Sequence, residues 1–174
     1  MSYIRIWVHL VFSTKYRRAL LSSELRREMF EHIRVNGAAK GIYLKAIGGY
    51  VEHVHCLLSL GSMQTMAEVA QLLKGESSFW VNKYGTCSYR FTWQDDYYAV
   101  SVGESQLPRV IAYIENQERH HAKQTWEEEE QKFIDKYGFQ LQLSKGNSDE
   151  KREEAKAPGN EEEGRLKSQA KKGI

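Results

Sequence analysis

Near its start the chain reads YIRIWVHLVF (Tyr3–Phe12), in which aliphatic side chains alternate with polar and aromatic ones. A period of two is typical of a β-strand with two different faces. One face carries Ile4, Ile6, Val8, Leu10 and Phe12, and the other carries Tyr3, Arg5, Trp7, His9 and Val11. The pattern therefore predicts a first strand with one aliphatic face and one polar-aromatic face.

Patterns further along the chain extend this strand into a complete domain. The first predicted helix has Leu25, Met29 and Ile33 on one face, and Ser22 or Ser23 can cap it. The other predicted elements are strands at Tyr43–Ile47, His53–Leu60, Phe91–Trp93 and Tyr97–Val102, helices at about Thr65–Lys83, Ser105–Gln124 and Trp126–Tyr137, and a break at Gly48–Gly49. This order predicts an α+β fold of the ferredoxin-like (split βαβ, RRM-like) class. Such a fold is an antiparallel sheet with two helices on one face, here followed by further helices.

Length and composition indicate one globular domain with a buried core. The chain has 174 residues, of which 41% are hydrophobic and 28% are charged. Its formal net charge of +2 excludes a histone-like polycation, so a nucleic-acid site must be a local basic patch. Two cysteines without a CxxC pair argue against a disulfide scaffold and fit a reducing cytosol. No run approaches 18 apolar residues, so we expect neither a membrane span nor a signal peptide.

The composition changes near Ser144. From Lys145 to Ile174 there are 8 basic and 7 acidic residues, so 15 of 30 are charged, and none is aromatic. Such a segment cannot bury enough apolar surface to offset its chain entropy. We therefore expect a folded domain over Met1–Ser144 and a charged, disordered tail over Lys145–Ile174. Contact between the tail and DNA is the alternative.

The motif His53-Val54-His55 is the first candidate for chemistry. It begins a predicted strand, so the two histidines share a face with Cα atoms roughly 6.5 Å apart. Two imidazoles at this spacing can converge on one metal ion. The alternative is a pair of partly exposed strand histidines without a ligand.

Tyr113 and Gln117 are the second candidate. They are four residues apart on a predicted helix, roughly 6 Å along its axis, beside the apolar stripe of that helix. At that edge a phenol and an amide oxygen could reach a bound ion. The alternatives are a tyrosine that buries its ring and hydrates its hydroxyl, and a solvated glutamine.

A basic patch follows the first strand. Lys15, Arg17 and Arg18 form its centre, and Arg5 and Trp7 lie on the polar-aromatic face of the strand before it. Lys74, Lys83 and Arg90 extend the set. The alternative for each is an ordinary surface cation, and we expect about half to contact DNA. The run Glu127–Glu130 is interpreted as a solvated helix face.

Several motifs together resemble one protein family. They are YIENQ (Tyr113–Gln117), HVH (His53–His55) and WVHLVFSTKYR (Trp7–Arg17), with further matches at Lys74-Gly75 and at Trp93 and Tyr97-Tyr98. This set resembles the HUH-class single-tyrosine transposases, which move insertion sequences as single-stranded DNA, and their relatives associated with repetitive extragenic palindromes. The resemblance covers residues 3 to 125.

The resemblance implies a role for each matching residue. His53, His55 and Gln117 would bind a divalent ion, Mg²⁺ or Mn²⁺, and Tyr113 would be the nucleophile on a C-terminal catalytic helix. Members of the family cleave single-stranded DNA beside imperfect hairpins, form a 5′-phosphotyrosine bond and rejoin the ends. They are often homodimers, in which the tyrosine helix of one subunit completes the site of the other. The residues expected to bind DNA are Arg5, Trp7, Lys15, Arg17, Arg18 and Lys74, and the expected location is the bacterial cytoplasm, at the nucleoid.

Elementary chemistry agrees with these roles. A free phenol has a pKa of about 10, so charge at the attacked phosphate must be stabilised by another group. A divalent cation held by two imidazoles and a neutral amide keeps its full charge for that purpose. Three alternatives remain open: a replication initiator or relaxase, a non-enzymatic nucleic-acid-binding module on the same fold, and a transposase that has lost activity.

Overall fold

The computed structural model describes residues 3–85, 87, 89–121 and 125–138. The described elements belong to one compact unit, Met1–Tyr137. The predicted tail from Lys145 onward lies outside the described residues. Within them, no helix is both long enough and apolar enough to cross a membrane.

A four-stranded antiparallel sheet organises the unit and confirms the predicted fold class. Its strands are β1 (Ile6–Ser13), β2 (Tyr43–Gly49), β3 (His53–Leu60) and β4 (Tyr98–Val102), arranged in the order β2-β3-β1-β4. The helices are α1 (Ser23–Ala39), α2 (Met66–Tyr84), α3 (Leu107–Glu115), α4 (Gln117–His121) and α5 (Trp126–Tyr137), with 3₁₀ turns at Lys15–Arg17 and Glu104–Gln106. All three strand pairings are antiparallel, and the central strands β1 and β3 belong to the ferredoxin-like arrangement.

Helices α1 and α2 cover one face of the sheet and build the main core. Their apolar side chains pack against alternate residues of the two central strands. The contributing strand residues are Val8, Leu10, Phe12, Val54, Cys56 and Leu58. Caps define where these helices begin, since the Ser22 hydroxyl accepts from the Leu25 amide and Thr65 forms a capping box with Glu68. The aliphatic face of the first strand starts later than predicted, because Ile4 and Ile6 are exposed.

Helix α3 covers the opposite face of the sheet. Ile114 is fully buried there against Ala46, Leu57 and Val102. Gly48 makes this packing possible, because a Cβ at that residue would lie closer than 3.0 Å to the carbonyl oxygen of Ile114. Gly48 and Gly49 are thus the last residues of β2 and not the predicted break between strands.

The predicted helix Ser105–Gln124 is broken in the structure. A 3₁₀ turn precedes α3, and Asn116 separates α3 from α4 with non-helical angles of φ −103° and ψ 23°. The side-chain amide of Asn116 donates to the Ala112 carbonyl at 2.7 Å, which caps the end of α3. Residues 122–124 of the prediction lie outside the described part of the chain.

The predicted strand Phe91–Trp93 is also wrong. A single bridge joins Trp93 to Thr14, and both polar backbone groups of Phe91 bond to the side chain of Asn82 at 2.8 Å. The aromatic alternation that suggested a strand reflects burial of Phe91 and Trp93 in the core. At Phe91 a side-chain amide therefore takes the place of a neighbouring strand, whereas Thr92 and Gln94 bond to the backbone of Lys15 and Ser13.

Candidate active site

Both histidines of the HVH motif lie on the sheet face that α3 covers. Val54 and Cys56 point into the core under α1 and α2, so His53 and His55 point the other way, as expected. Both histidines are 0% exposed, so neither lies on the surface. The cover comes from α5, whose Trp126 ring stacks on His53 with centroids 4.2 Å apart and planes at 19°.

Each histidine bonds through Nδ1 to a neighbouring side chain. Nδ1 of His53 is 2.9 Å from Oε1 of Glu52, and Nδ1 of His55 is 3.0 Å from Nε2 of His9. A ring held at one nitrogen presents the other in a fixed direction. In both rings the nitrogen that remains for a ligand is therefore Nε2.

Glu129 completes a group of three potential metal ligands. The ligand atoms of His53, His55 and Glu129 all lie within 4.8 Å of one another. Oε1 of Glu129 is 3.4 Å from Nε2 of His55, and Oε2 is 2.8 Å from Nε2 of His121. Despite these short distances, neither oxygen of Glu129 makes a hydrogen bond of acceptable geometry with another described residue. The same is true of Nε2 of His55. Buried polar atoms in this state fit a divalent cation, so the cluster could hold one.

Burial controls the charges around this group. It raises the pKa of Glu129 to about 8, and the carboxylate of Glu52 acts in the same direction. Burial and the neighbouring imidazoles lower the pKa of His55 well below its usual value. Burial, assisted by Lys136, lowers the pKa of His9 to about 4. At neutral pH, without a metal, Glu129 is therefore largely protonated, and His55 and His9 are neutral.

The acidic run Glu127–Glu130 is only in part the solvated face that its composition suggested, because Glu127 and Glu128 are exposed and the other two are not. Glu129 is 2% exposed, and Glu130 binds Arg17 and accepts a hydrogen bond from the hydroxyl of Tyr98 at 2.6 Å. The helical period of α5 could have identified its buried side from the sequence. Residues at i, i+3, i+4 and i+7 share one side of a helix, and here they are Trp126, Glu129, Glu130 and Phe133.

Tyr113 and Gln117 meet the histidines within one chain. The ring of Tyr113 is half-buried, and its centroid is 5.6 Å from that of His55 with the planes at 89°. Gln117 is buried and donates its amide to the Tyr113 carbonyl at 3.3 Å, while its Oε1 lies 3.4 Å from Nε2 of His53. The ring of His120 lies 5.2 Å from that of Tyr113, and burial lowers the pKa of this histidine. The break at Asn116 thus preserves the predicted contact between the two helical residues.

Most of the predicted DNA-binding cations are held by acidic or carbonyl oxygens. Lys15 pairs with Asp95 at 2.8 Å, and Lys74 donates to the Asp95 carbonyl at 2.7 Å. Arg17 binds Glu130 of α5. These contacts place Lys15 and Lys74 around one turn and attach Arg17 to α5, at the residue that follows Glu129.

The remaining members of the predicted patch lie apart from one another. Arg18 is exposed and stacks on Tyr16, with 5.5 Å between the guanidinium carbon and the ring centroid. Arg5 and Trp7 stand at the other end of β1, and both bond to Glu104, at 3.1 and 2.9 Å. The structure therefore divides the predicted patch between the two ends of the central strand.

Comparison with known proteins places this site in a family. A family model described as "Transposase IS200 like" matches residues 2–117. The chain belongs to this family. The match includes His53, His55, Tyr113 and Gln117 and ends before α5, so the family model does not extend to Glu129.

Individual relatives agree with the assignment to the IS200-like transposases. The transposase for insertion sequence element IS200 of Salmonella typhimurium is 26% identical over 114 residues, which cover 63% of this chain and 74% of the relative. The ISDra2 transposase TnpA of Deinococcus radiodurans is 27% identical over 115 residues, covering 63% and 81%.

Two solved structures share the fold of this IS200-like transposase. A candidate transposase from Deinococcus radiodurans R1 has a TM-score of 0.51 and 25% identity, covering 67% of this chain and 93% of that one. A REP-associated tyrosine transposase bound to a REP hairpin has a TM-score of 0.52 and 16% identity, covering 72% and 73%. Their likeness supports the α+β architecture with its four-stranded antiparallel sheet.

Proposed function

We propose that the chain is a metal-dependent transposase that cleaves and rejoins single-stranded DNA through Tyr113. The observation that carries the proposal is the meeting of Tyr113 and Gln117 with the His53/His55 pair in a single polypeptide. A phenol beside two imidazoles oriented through Nδ1 has the parts needed for phosphoryl transfer to tyrosine. A non-enzymatic binding module has no use for this arrangement.

The reaction is an exchange of phosphate esters. The phenolic oxygen of Tyr113 bonds to the scissile phosphorus and its proton passes to solvent, while the bond from phosphorus to the 3′ oxygen breaks and that oxygen takes up a proton from solvent. The products are a 5′-phosphotyrosine and a free 3′ hydroxyl, and attack by such a hydroxyl reverses the step. Because one ester replaces another, no nucleotide triphosphate is required.

A divalent ion fits the site and would be held by His53 and His55 with Gln117 or Glu129. When bound, it supplies positive charge that stabilises the attacked phosphate. Glu52 and His9 orient the two imidazoles, and Gln117 spans the space between the tyrosine backbone and His53. Two imidazole nitrogens favour Mn²⁺ over Mg²⁺ in such a set.

Helix α5 has to shift before a phosphodiester can reach the site. Its Trp126 ring lies 4.2 Å from that of His53 and 6.2 Å from that of His55, and its Phe133 ring lies 5.5 Å from that of His9. Glu130 also occupies Arg17, a cation expected to contact DNA. We infer that DNA binding displaces α5 from at least part of this face.

The proposed substrate is single-stranded DNA that carries an imperfect hairpin. The hairpin bound to the REP-associated relative supports this substrate class. The resemblance also suggested a homodimer whose subunits exchange tyrosine helices. Since Tyr113 already meets the histidines of its own chain, such an exchange is not needed to complete the site.

Tyr113→Phe is the direct test. With Mn²⁺ and a labelled hairpin oligonucleotide that carries a single-stranded flank, the wild type should form a covalent adduct that survives denaturing electrophoresis. The variant should form none and should bind the same DNA with unchanged affinity. Tyr137→Phe, at an exposed tyrosine of α5, is the matched control and should keep the adduct. An adduct with Tyr113→Phe would overturn the assignment.

A further inference from the structure

His9 is a buried polar residue to which the proposed reaction gives no step. It lies in the middle of β1 with its side chain 3% exposed, on the same face as the histidine pair. A polar side chain in such a place costs stability unless it is hydrogen-bonded. Its Nε2 lies 3.0 Å from Nδ1 of His55. The only polar contact that the structure gives the His9 ring among the described residues is thus with a candidate metal ligand.

The contact between His9 and His55 can hold one proton. The ring nitrogen that carries this proton decides which nitrogen of His55 can bind a metal. A metal needs a lone pair on the ligating nitrogen, and Nε2 of His55 is the nitrogen that faces Glu129. The proton of the neutral His55 ring must then be on Nδ1. Nδ1–H donates to Nε2 of His9, so His9 must be neutral with its own proton on Nδ1.

We propose that His9 is a positioning residue of the metal site, whose Nε2 accepts the Nδ1 proton of His55 and so fixes the tautomer that presents Nε2 to the ion. The inference rests on the proposed function, because that function is what makes His55 a metal ligand. Burial keeps His9 neutral, in agreement with its role as an acceptor.

The two ligand histidines are then oriented by partners of different charge. His53 bonds to the carboxylate of Glu52, whereas His55 bonds to a neutral imidazole. A carboxylate partner makes a histidine a stronger metal ligand, and a neutral partner leaves more of the ion's charge for the substrate. His9 also packs edge-on against the ring of Tyr113, with centroids 6.1 Å apart. It therefore lies between the nucleophile and one ligand and touches both.

The test compares His9→Gln with His9→Leu in the full-length protein. The glutamine amide oxygen can replace the Nε2 acceptor, whereas leucine has a comparable volume and no acceptor. Binding of Mn²⁺ is measured from the electron paramagnetic resonance signal of the free ion. His9→Leu should weaken Mn²⁺ binding by about 10- to 100-fold, the usual loss for an outer partner of a metal ligand. His9→Gln should stay within a few-fold of the wild type.

A second readout separates positioning from folding and does not depend on metal. Nitrogen-15 NMR of labelled histidine rings in EDTA reports the tautomer of His55, which should carry its proton on Nδ1 in the wild type and in His9→Gln. In His9→Leu it should shift toward Nε2. Thermal unfolding in EDTA checks that both variants fold.

Two results would overturn the role of His9. They are a wild-type His55 protonated on Nε2, and a folded His9→Leu protein that binds Mn²⁺ as tightly as the wild type. A wild-type protein that binds no Mn²⁺ would contradict the metal-dependent function and with it the metal-positioning role of His9, whereas the tautomer measurement would still show whether His9 sets the protonation of His55.

Discussion

The backbone of Gly48 lies directly against the carbonyl of Ile114. Ile114 follows Tyr113 in the chain, so this contact sets the distance between the tyrosine helix and the sheet that carries the histidines. A Cβ at residue 48 would come closer than 3.0 Å to the carbonyl oxygen, which is backbone and cannot rotate away. The position of Tyr113 thus depends on a missing side chain on a neighbouring strand.

Gly48→Ala should push α3 away from β2. We expect the free energy of unfolding to fall by about 1–3 kcal/mol, as in other overpacked cores. Gly75→Ala is the matched control, because Gly75 lies on the exposed side of α2 with open space around it. That change should raise stability by about 0.5–1 kcal/mol through helix propensity. Urea unfolding of both variants checks the pair, and equal effects would contradict the packing argument.

Glu129→Gln tests the carboxylate as a metal ligand. A ligand must lose its proton before it binds, so a glutamate with a pKa of about 8 makes Mn²⁺ affinity rise as the pH increases toward 8. Glu129→Gln should lower Mn²⁺ affinity at pH 8 by about tenfold or more and flatten this dependence. Calorimetric titration at pH 6, 7 and 8 measures both effects. Glu127→Gln, on the exposed side of the same helix, is the control and should change neither the Mn²⁺ affinity nor its pH dependence. If Glu129→Gln binds Mn²⁺ as the wild type does, Glu129 is not a ligand and Gln117 is the third ligand.

Acid should destabilise the metal-free protein through His9. Burial holds its pKa in the folded state at about 4, below the usual histidine pKa of 6.5, so the folded state resists protonation. The stability that this gives is fully present above pH 6.5 and is lost as the pH falls toward 4. The contribution is on the order of 2–3 kcal/mol. Urea unfolding in EDTA at pH 7.5 and 4.5 should therefore show a smaller loss for His9→Gln than for the wild type.

Comparing the wild type with His9→Gln isolates the contribution of His9 to stability, because the other titratable groups are present in both proteins. Glu129, whose pKa is raised, has the opposite sign, and its contribution is lost as the pH rises toward 8. An equal loss of stability in the wild type and in His9→Gln would show that His9 does not titrate as described.

Glu130→Gln should free Arg17 for DNA. The change removes the ion pair with Arg17 and weakens the bond from Tyr98, two contacts that hold α5 over the site. We expect a several-fold gain in affinity for a labelled single-stranded oligonucleotide and a steeper salt dependence, since one more cation meets phosphate. Fluorescence anisotropy in EDTA measures both without cleavage. Glu127→Gln is the control and should bind the oligonucleotide with the affinity of the wild type. If Glu130→Gln also has wild-type affinity, α5 does not restrict DNA binding.

The sequence predicted the parts of this fold that follow a simple period. β3 begins at His53 and ends at Leu60 as expected, and α5 has the predicted bounds. Both rest on local alternation or capping, which one segment can specify alone. The four candidate residues of the site were also found from the sequence, and the structure brings them together.

Other features depend on contacts between distant segments and were missed. The side chain of Asn82 serves the backbone of Phe91, and Asn116 ends a helix that propensity alone would continue. Glu129 was overlooked because four successive glutamates give composition no means of telling buried from exposed. The helical period that joins Trp126 to Phe133 places Glu129 on the same side of α5, and the path of this helix across the sheet then buries it.

The meeting of the proposed nucleophile and the histidine pair inside one polypeptide has a kinetic meaning. A phenol carried on the same chain as its proposed metal ligands has a local concentration that dilution cannot lower. Each molecule would then cut at the same rate whether it is abundant or nearly alone in solution. Very low expression would slow the encounter with DNA and leave the chemical step untouched.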